Sequence, residues 1–210
     1  MLLRPLSAAT AALLVTGLVT ACGGEPFPRP GYRLYRSGTY FVHLPSDWYD
    51  AGGDPDVEWT APPDGGPDTG IITSPDGNVV VHTIWDDADP GETAERWMER
   101  NESSLEREAG SYERLSLDTD GDDGLFGDGG ASAVLVFDAV LEGGESQWVD
   151  VEYDDPHRRA TQKVVVEPGS GTVFAIRAST PASAADEHED TVEAIIDSFR
   201  PRPLDLTGDA

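Results

Sequence analysis

The chain has 210 residues, of which 40 are Asp or Glu and 14 are Lys or Arg, giving a formal net charge of −26 at pH 7. That imbalance repels nucleic acid and anionic surfaces and argues against a nucleic-acid partner. The length suits one domain that buries roughly 70% of its extended surface without a metal staple, and a single cysteine allows no internal disulfide.

The N-terminus reads MLLRPLSAATAALLVTGLVTAC, with one cation, Arg4, ahead of an Ala/Leu-rich apolar stretch that runs to about Val19. This is the charge and length profile of a secretory signal, and it falls short of the roughly 20 apolar residues of a comfortable membrane span. Val19-Thr20-Ala21-Cys22 resembles the lipobox of bacterial lipoproteins, in which an aliphatic and two small residues precede a cysteine that becomes diacylated. The resemblance implies cleavage after Ala21 and a thioether-linked diacylglyceryl group on Cys22. Two acyl chains suffice for stable anchoring where one does not. Lys163 is the only lysine beside thirteen arginines, and Asp, Gly, Ala and Pro abound, which suits a GC-rich genome and, with the lipobox, an actinobacterial cell envelope.

Residues 23–31, GGEPFPRPG, form an extended Pro/Gly spacer that holds the domain within about 30 Å of the lipid. Tyr32–Arg36 and Tyr40–Leu44 then read as a hairpin, with Tyr40, Val42 and Leu44 on one face. Val79–Trp85 is a strand with Val79, Val81 and Trp85 on one side and Val80, His82 and Ile84 on the other. Asp89-Pro90-Gly91-Glu92 predicts a helix start, with Asp89 as N-cap and Gly110 as the stop. Its apolar face is Ala94, Trp97, Met98 and Leu105.

Ala131–Leu141 is the most apolar run after the signal and predicts a central strand. Gln147–Tyr153, Ala160–Glu167 and Thr172–Ala178 complete four consecutive strands of an antiparallel meander. A second helix begins at Thr180-Pro181, carries the stripe Val192, Ile195, Ile196 and Phe199, and ends before Pro201. Strands in runs with two helices predict an α+β fold.

In this order of elements the chain resembles the Mog1/PsbP-like superfamily as it occurs in actinobacterial lipoproteins. The residues that carry the resemblance are Tyr40-Phe41-Val42-His43-Leu44-Pro45-Ser46-Asp47-Trp48, the Trp97 helix, the Ala131–Leu141 strand and Ile195-Ile196-Asp197-Ser198-Phe199. It implies an antiparallel β-sheet flanked by two helices, an α/β/α sandwich, and no catalytic set. The expected layout is a signal peptide at 1–21, lipidated Cys22 and tether at 22–31, the Mog1/PsbP-like domain at 32–202 and a tail at 203–210.

Other polar clusters have plainer readings. Asp118-Thr119-Asp120-Gly121-Asp122-Asp123-Gly124 starts like a calcium loop, but Asp123 stands where that loop needs Gly and Gly129 where it needs Glu, so a solvated turn between Leu117 and Leu125 is expected. His43, His82, His157 and His188 lack a zinc spacing, and Ser170 in Pro168-Gly169-Ser170-Gly171 sits in a hairpin turn instead of a nucleophile elbow. Core packing explains most of the aromatic residues; if any are exposed, Trp48, Trp59 and Trp148 are the better candidates. The expected role is therefore a non-enzymatic, lipid-anchored accessory or interaction module on the extracytoplasmic face of the cell membrane, with a protein or cell-wall partner and no cofactor. The alternative is a small-ligand or calcium-binding lipoprotein.

Overall fold

A computed structural model describes residues 29–36, 40–50, 71–121, 131–141, 154–167 and 171–201. In chain order the elements are β1 (Tyr32–Arg36), β2 (Tyr40–Pro45), β3 (Tyr49–Asp50), β4 (Ile71–Thr73), β5 (Val80–Asp87), α1 (Ala94–Glu108), β6 (Tyr112–Gly121), β7 (Ala131–Val140), β8 (His157–Val166), β9 (Thr172–Pro181), a 3-10 turn (Ala182–Ala184), α2 (Ala185–Ser198) and β10 (Arg200–Pro201). They form an antiparallel α+β fold of a three-stranded sheet, β1-β2-β10, and a seven-stranded sheet, β3-β4-β5-β9-β8-β7-β6.

The large sheet is buried from both sides because β8 and β9 are apolar at successive positions. Val164, Val166, Val173 and Ala175 join Leu135, Phe137 and the α1 residues Ala94, Trp97, Met98 and Leu105 in one core cluster. Their neighbours Val165, Phe174, Ile176 and Ala178 point the other way, into a second cluster with Tyr40, Val42 and Leu44 of β2 and Val192, Ile195 and Ile196 of α2. One helix thus lies on each face, and a two-residue side-chain period supplies both interfaces.

The start of α1 differs from expectation. Asp89-Pro90-Gly91-Glu92 closes a turn of its own, in which the Glu92 N–H donates to the Asp89 carbonyl at 2.9 Å and the Asp89 N–H donates to the Glu92 carboxylate at 3.1 Å. Gly91 has φ +77°, a conformation that breaks a helix and that L side chains rarely adopt. The cap is Thr93, whose Oγ1 accepts from the Arg96 N–H at 3.3 Å. At the other end Ala109, one residue before Gly110, caps the helix.

Thr180 and Pro181 belong to β9 instead of opening α2, and Pro201 continues into β10 against Tyr40. The expected meander exists as β7, β8 and β9. Gln147–Tyr153 lies outside the described residues, and β7 pairs directly with β8. The seventh strand, β6, covers Asp118 to Gly121, a stretch whose Asp and Gly content predicts a turn. β7 is one strand in from the β6 edge, and β9 holds the centre of the sheet.

A buried carboxylate ties α1 to β6. Glu102, 3% exposed, accepts from the Tyr112 hydroxyl at 2.7 Å and from Arg114 through both oxygens, Nε to Oε1 at 2.6 Å. Burial, with the Glu102 hydrogen bond second, pushes the Tyr112 phenol above its ordinary pKa of 10.0. Glu102→Ala leaves a phenol without its acceptor and is expected to cost about 1–3 kcal/mol in urea unfolding. A loss below a few tenths of a kcal/mol would show that Arg114 and Tyr112 are equally well satisfied by water.

Candidate functional site

A groove of about 470 Å³ lies between α2 and strands β6, β7 and β8. It arises because α2 packs over β9, β8 and β2, and no helix among the described residues covers the same face of β7 and β6. Its floor is Val134 and Val136 of β7, half-buried, flanked by Ser116 of β6 and Thr161 of β8. These four sit in register, with Ser116 and Thr161 both opposite Val136 and Asp118 opposite Val134.

The helical wall is acidic. Asp186, Glu189, Glu193 and Asp197 line the groove at spacings of three and four, which places them on one side of α2 along about 16 Å of helix. Below them Val192 and Ile196 continue into the core. Among the described lining residues the one cation is Arg159 of β8, and it is engaged: Nε and Nη2 donate to Asp138 at 2.8 and 3.0 Å, while Asp186 lies 3.8 Å from Nη1. Its pKa rises further above the ordinary arginine value, the Asp138 hydrogen bond being the main cause. The groove thus offers carboxylates and hydroxyls around an apolar strip, with a strongly negative balance.

The sequence-based candidates distribute differently. Cys22, Trp59, Trp148 and Ser170 lie outside the described residues. The Asp118–Asp123 cluster does not form a loop in its described part: Asp118 to Gly121 run as edge strand with a register shift against β7, and Asp122 and Asp123 lie beyond the described residues. Among the described residues no group of three or more His, Cys, Asp or Glu is placed to hold a metal ion. Trp48, one of the three aromatic candidates for exposure, is 6% exposed and packs in the core with Ile72 and Val81.

His43 and His82 are in strands as expected, and His157 opens β8. His82 is 8% exposed, and burial, helped by the charge of Arg177 opposite it on β9, lowers its pKa from 6.5 to about 4. Beneath α1 lies a buried polar row that the strand patterns do not reveal. Arg177 donates to the Gln162 carbonyl from Nε at 2.8 Å and from Nη2 at 2.5 Å, and Gln162 donates to Asn101 at 3.0 Å. The guanidinium also lies 5.5 Å over the Phe137 ring.

The groove itself is not among the sequence candidates, although its acidic stripe is visible in the sequence as Asp186, Glu189, Glu193 and Asp197. The floor has no such signal, because it exists only once β6 pairs with β7.

No protein-family model matches the chain, and no curated protein matches it significantly. Solved structures do resemble it. Cyanobacterial PsbP (CyanoP) from Synechocystis aligns with a TM-score of 0.52 at 14% identity, covering 89% of this chain and 100% of that one. The Ran-binding protein Mog1p of Saccharomyces cerevisiae aligns at 0.50 and 14% identity, covering 80% and 94%. LpqN, involved in cell envelope biogenesis of Mycobacterium tuberculosis, aligns at 0.44 and 17%, covering 78% and 83%. At these identities the likeness speaks for the fold, and the chain has the antiparallel α+β fold shared by PsbP and Mog1p.

Proposed function

We propose that the chain is an exported lipoprotein, cleaved after Ala21 and anchored through a diacylglyceryl group on Cys22, whose domain acts as a protein-interaction module on the outer face of the cytoplasmic membrane. The lipobox-like Val19-Thr20-Ala21-Cys22 supports the anchor, and the Pro/Gly run at 23–31 supports a short tether to a domain at 32–202 with a tail at 203–210. The observation that carries the interaction role is the groove beside α2, whose valines can bury apolar groups and whose carboxylates can hold cationic ones. The fold is also the one used by a Ran-binding protein. No helix among the described residues is long and apolar enough to cross a membrane, so retention there would rest on the lipid or on a partner.

Cell fractionation tests the anchor: Cys22→Ser is expected to move the protein from the membrane pellet to the medium, and continued retention in the pellet overturns lipid anchoring. Photo-crosslinking tests the module. A probe placed at Thr161 on the groove floor is expected to trap a defined envelope protein, and Glu189→Lys/Glu193→Lys is expected to abolish that adduct. An adduct that survives the charge reversal refutes the groove as the docking surface.

A further inference from the structure

We propose that the groove receives an extended segment of a partner protein in which Arg or Lys residues are interspersed with small apolar ones. The inference rests on the interaction-module reading and deepens it by naming the partner's chemistry. Charge decides the first half. The wall presents Asp186, Glu189, Glu193 and Asp197, and among the described lining residues the one guanidinium, Arg159, is already chelated by Asp138. An occupant must supply the missing positive charge, and the four carboxylates along about 16 Å of α2 match about five residues of extended peptide.

The floor decides the second half. Val134 and Val136 are half-buried on a face that α2 leaves uncovered, so side chains of Val or Ala size can cover them while the basic residues reach the helix. The cavity, at about 470 Å³, accommodates a short segment of this kind.

The same charges exclude nearer occupants. Segments 51–70, 122–130 and 142–153 of this chain contain acidic residues and no basic one, and the C-terminal 202–210 sets two aspartates against the single Arg202, so none carries a net positive charge. A second copy, at a net charge of −26, would bring more of the same sign. A partner of opposite charge is the occupant left.

Fluorescence anisotropy of a fluorescein-labelled peptide, Arg-Val-Arg-Val-Arg-Val-Arg, with the full lipidated chain in neutral detergent tests this. Saturable binding is expected, weakening at least tenfold between about 50 and 500 mM NaCl. Glu189→Lys/Glu193→Lys, at two exposed helix positions, is expected to weaken it at least tenfold. Glu95→Lys/Glu99→Lys on the exposed side of α1 changes net charge equally and is expected to leave affinity within twofold. Val136→Thr, which keeps the shape of the floor, is expected to weaken binding threefold or more.

Equal loss from the α1 and α2 reversals would reduce the interaction to diffuse charge and overturn the proposal. So would displacement of the peptide by spermidine at the peptide's own concentration, since a free polyamine would then satisfy the groove without any apolar contact. Failure of the peptide to bind, with the Thr161 crosslink still sensitive to charge reversal, overturns the partner chemistry and leaves the module reading standing. Loss of both sinks the reading itself.

Discussion

Trp97→Ala is expected to lower stability by about 3–5 kcal/mol, the range for removing a large aromatic from a closed core. Trp97 is 1% exposed and is the largest side chain joining α1 to the sheet, in the cluster built from Leu135, Phe137 and Val164. Its indole Nε1 also donates to Asp86 at 3.2 Å, so truncation removes the hydrogen bond that links α1 to the end of β5. For a domain of this size the loss corresponds to a fall in Tm of about 6–20 °C. Leu115→Ala supplies the contrast. Leu115 is 43% exposed beside the register shift in β6, and its removal is expected to stay within about 0.5 kcal/mol. Differential scanning calorimetry of both variants checks the pair. A Trp97 variant that melted within a degree or two of the parent would mean that α1 is not part of the cooperative unit.

The second large effect is a pH dependence set by His82. Its folded pKa of about 4 lies below the ordinary 6.5 because burial disfavours the imidazolium, and Arg177 across the β5–β9 pair adds repulsion. Below 6.5 the unfolded chain therefore takes up a proton that the folded chain refuses. The stability held by neutral His82 is complete above about pH 6.5 and is lost as pH falls toward 4, by roughly 3 kcal/mol in total. Asp76 acts in a different window. Hydrogen bonds from Ser74 and Asn78 hold its carboxyl below 3.8, so its contribution persists to lower pH and is lost only as pH falls through that folded value.

The His82 effect can be isolated from the many surface carboxylates by subtraction. His82 Nδ1 is buried with no hydrogen-bond partner among the described residues, so His82→Leu sacrifices no such bond there. Urea unfolding at pH 7, 5.5 and 4 is expected to show the parent losing stability relative to the variant across that range. Parallel curves would show that His82 is protonated in the folded protein and that Arg177 does not oppose it.

How much of the fold is legible in the sequence depends on whether a segment's periodicity reports one neighbour or several. Thr172–Pro181 is readable because burial on both faces makes a long apolar run, and Ala131–Val140 because its buried residues alternate with valines that are half-buried. α2 is readable from Val192, Ile195, Ile196 and Phe199, although its start is misplaced because Thr180-Pro181 imitates a helix opening while continuing β9. β6 escapes for a physical reason. As an edge strand it is largely exposed, only Tyr112 and Leu117 pack inward, and the shift between Arg114 and Ser116 breaks the alternation between them. Missing β6 means missing the groove, since Ser116 and Asp118 form its outer side.

Gln162 shows the converse. In the sequence it is one polar residue in a strand, yet it is wholly buried, because Asn101 of α1 and Arg177 of β9 satisfy its amide from two directions. No local pattern contains that information. Trp48 sits beside a turn in the sequence, and its burial is decided by the core that gathers over β4 and β5.

The position of β9 at the middle of the large sheet has a kinetic consequence. β5 pairs early with the short β4, but its longer ladder forms only when Thr172 to Ser179 are available, and β2 is closed by Arg200 and Pro201 at the far end of the described chain. The early strands therefore cannot complete their ladders while the chain is still emerging, and loop closure between Val80 and Ser179 must precede any gain from that pairing. Folding is accordingly a late, whole-chain event. A nascent or translocating chain that stops short of Pro201 exposes β2 and β5 as open edges, the state in which chaperone capture or proteolysis is most effective.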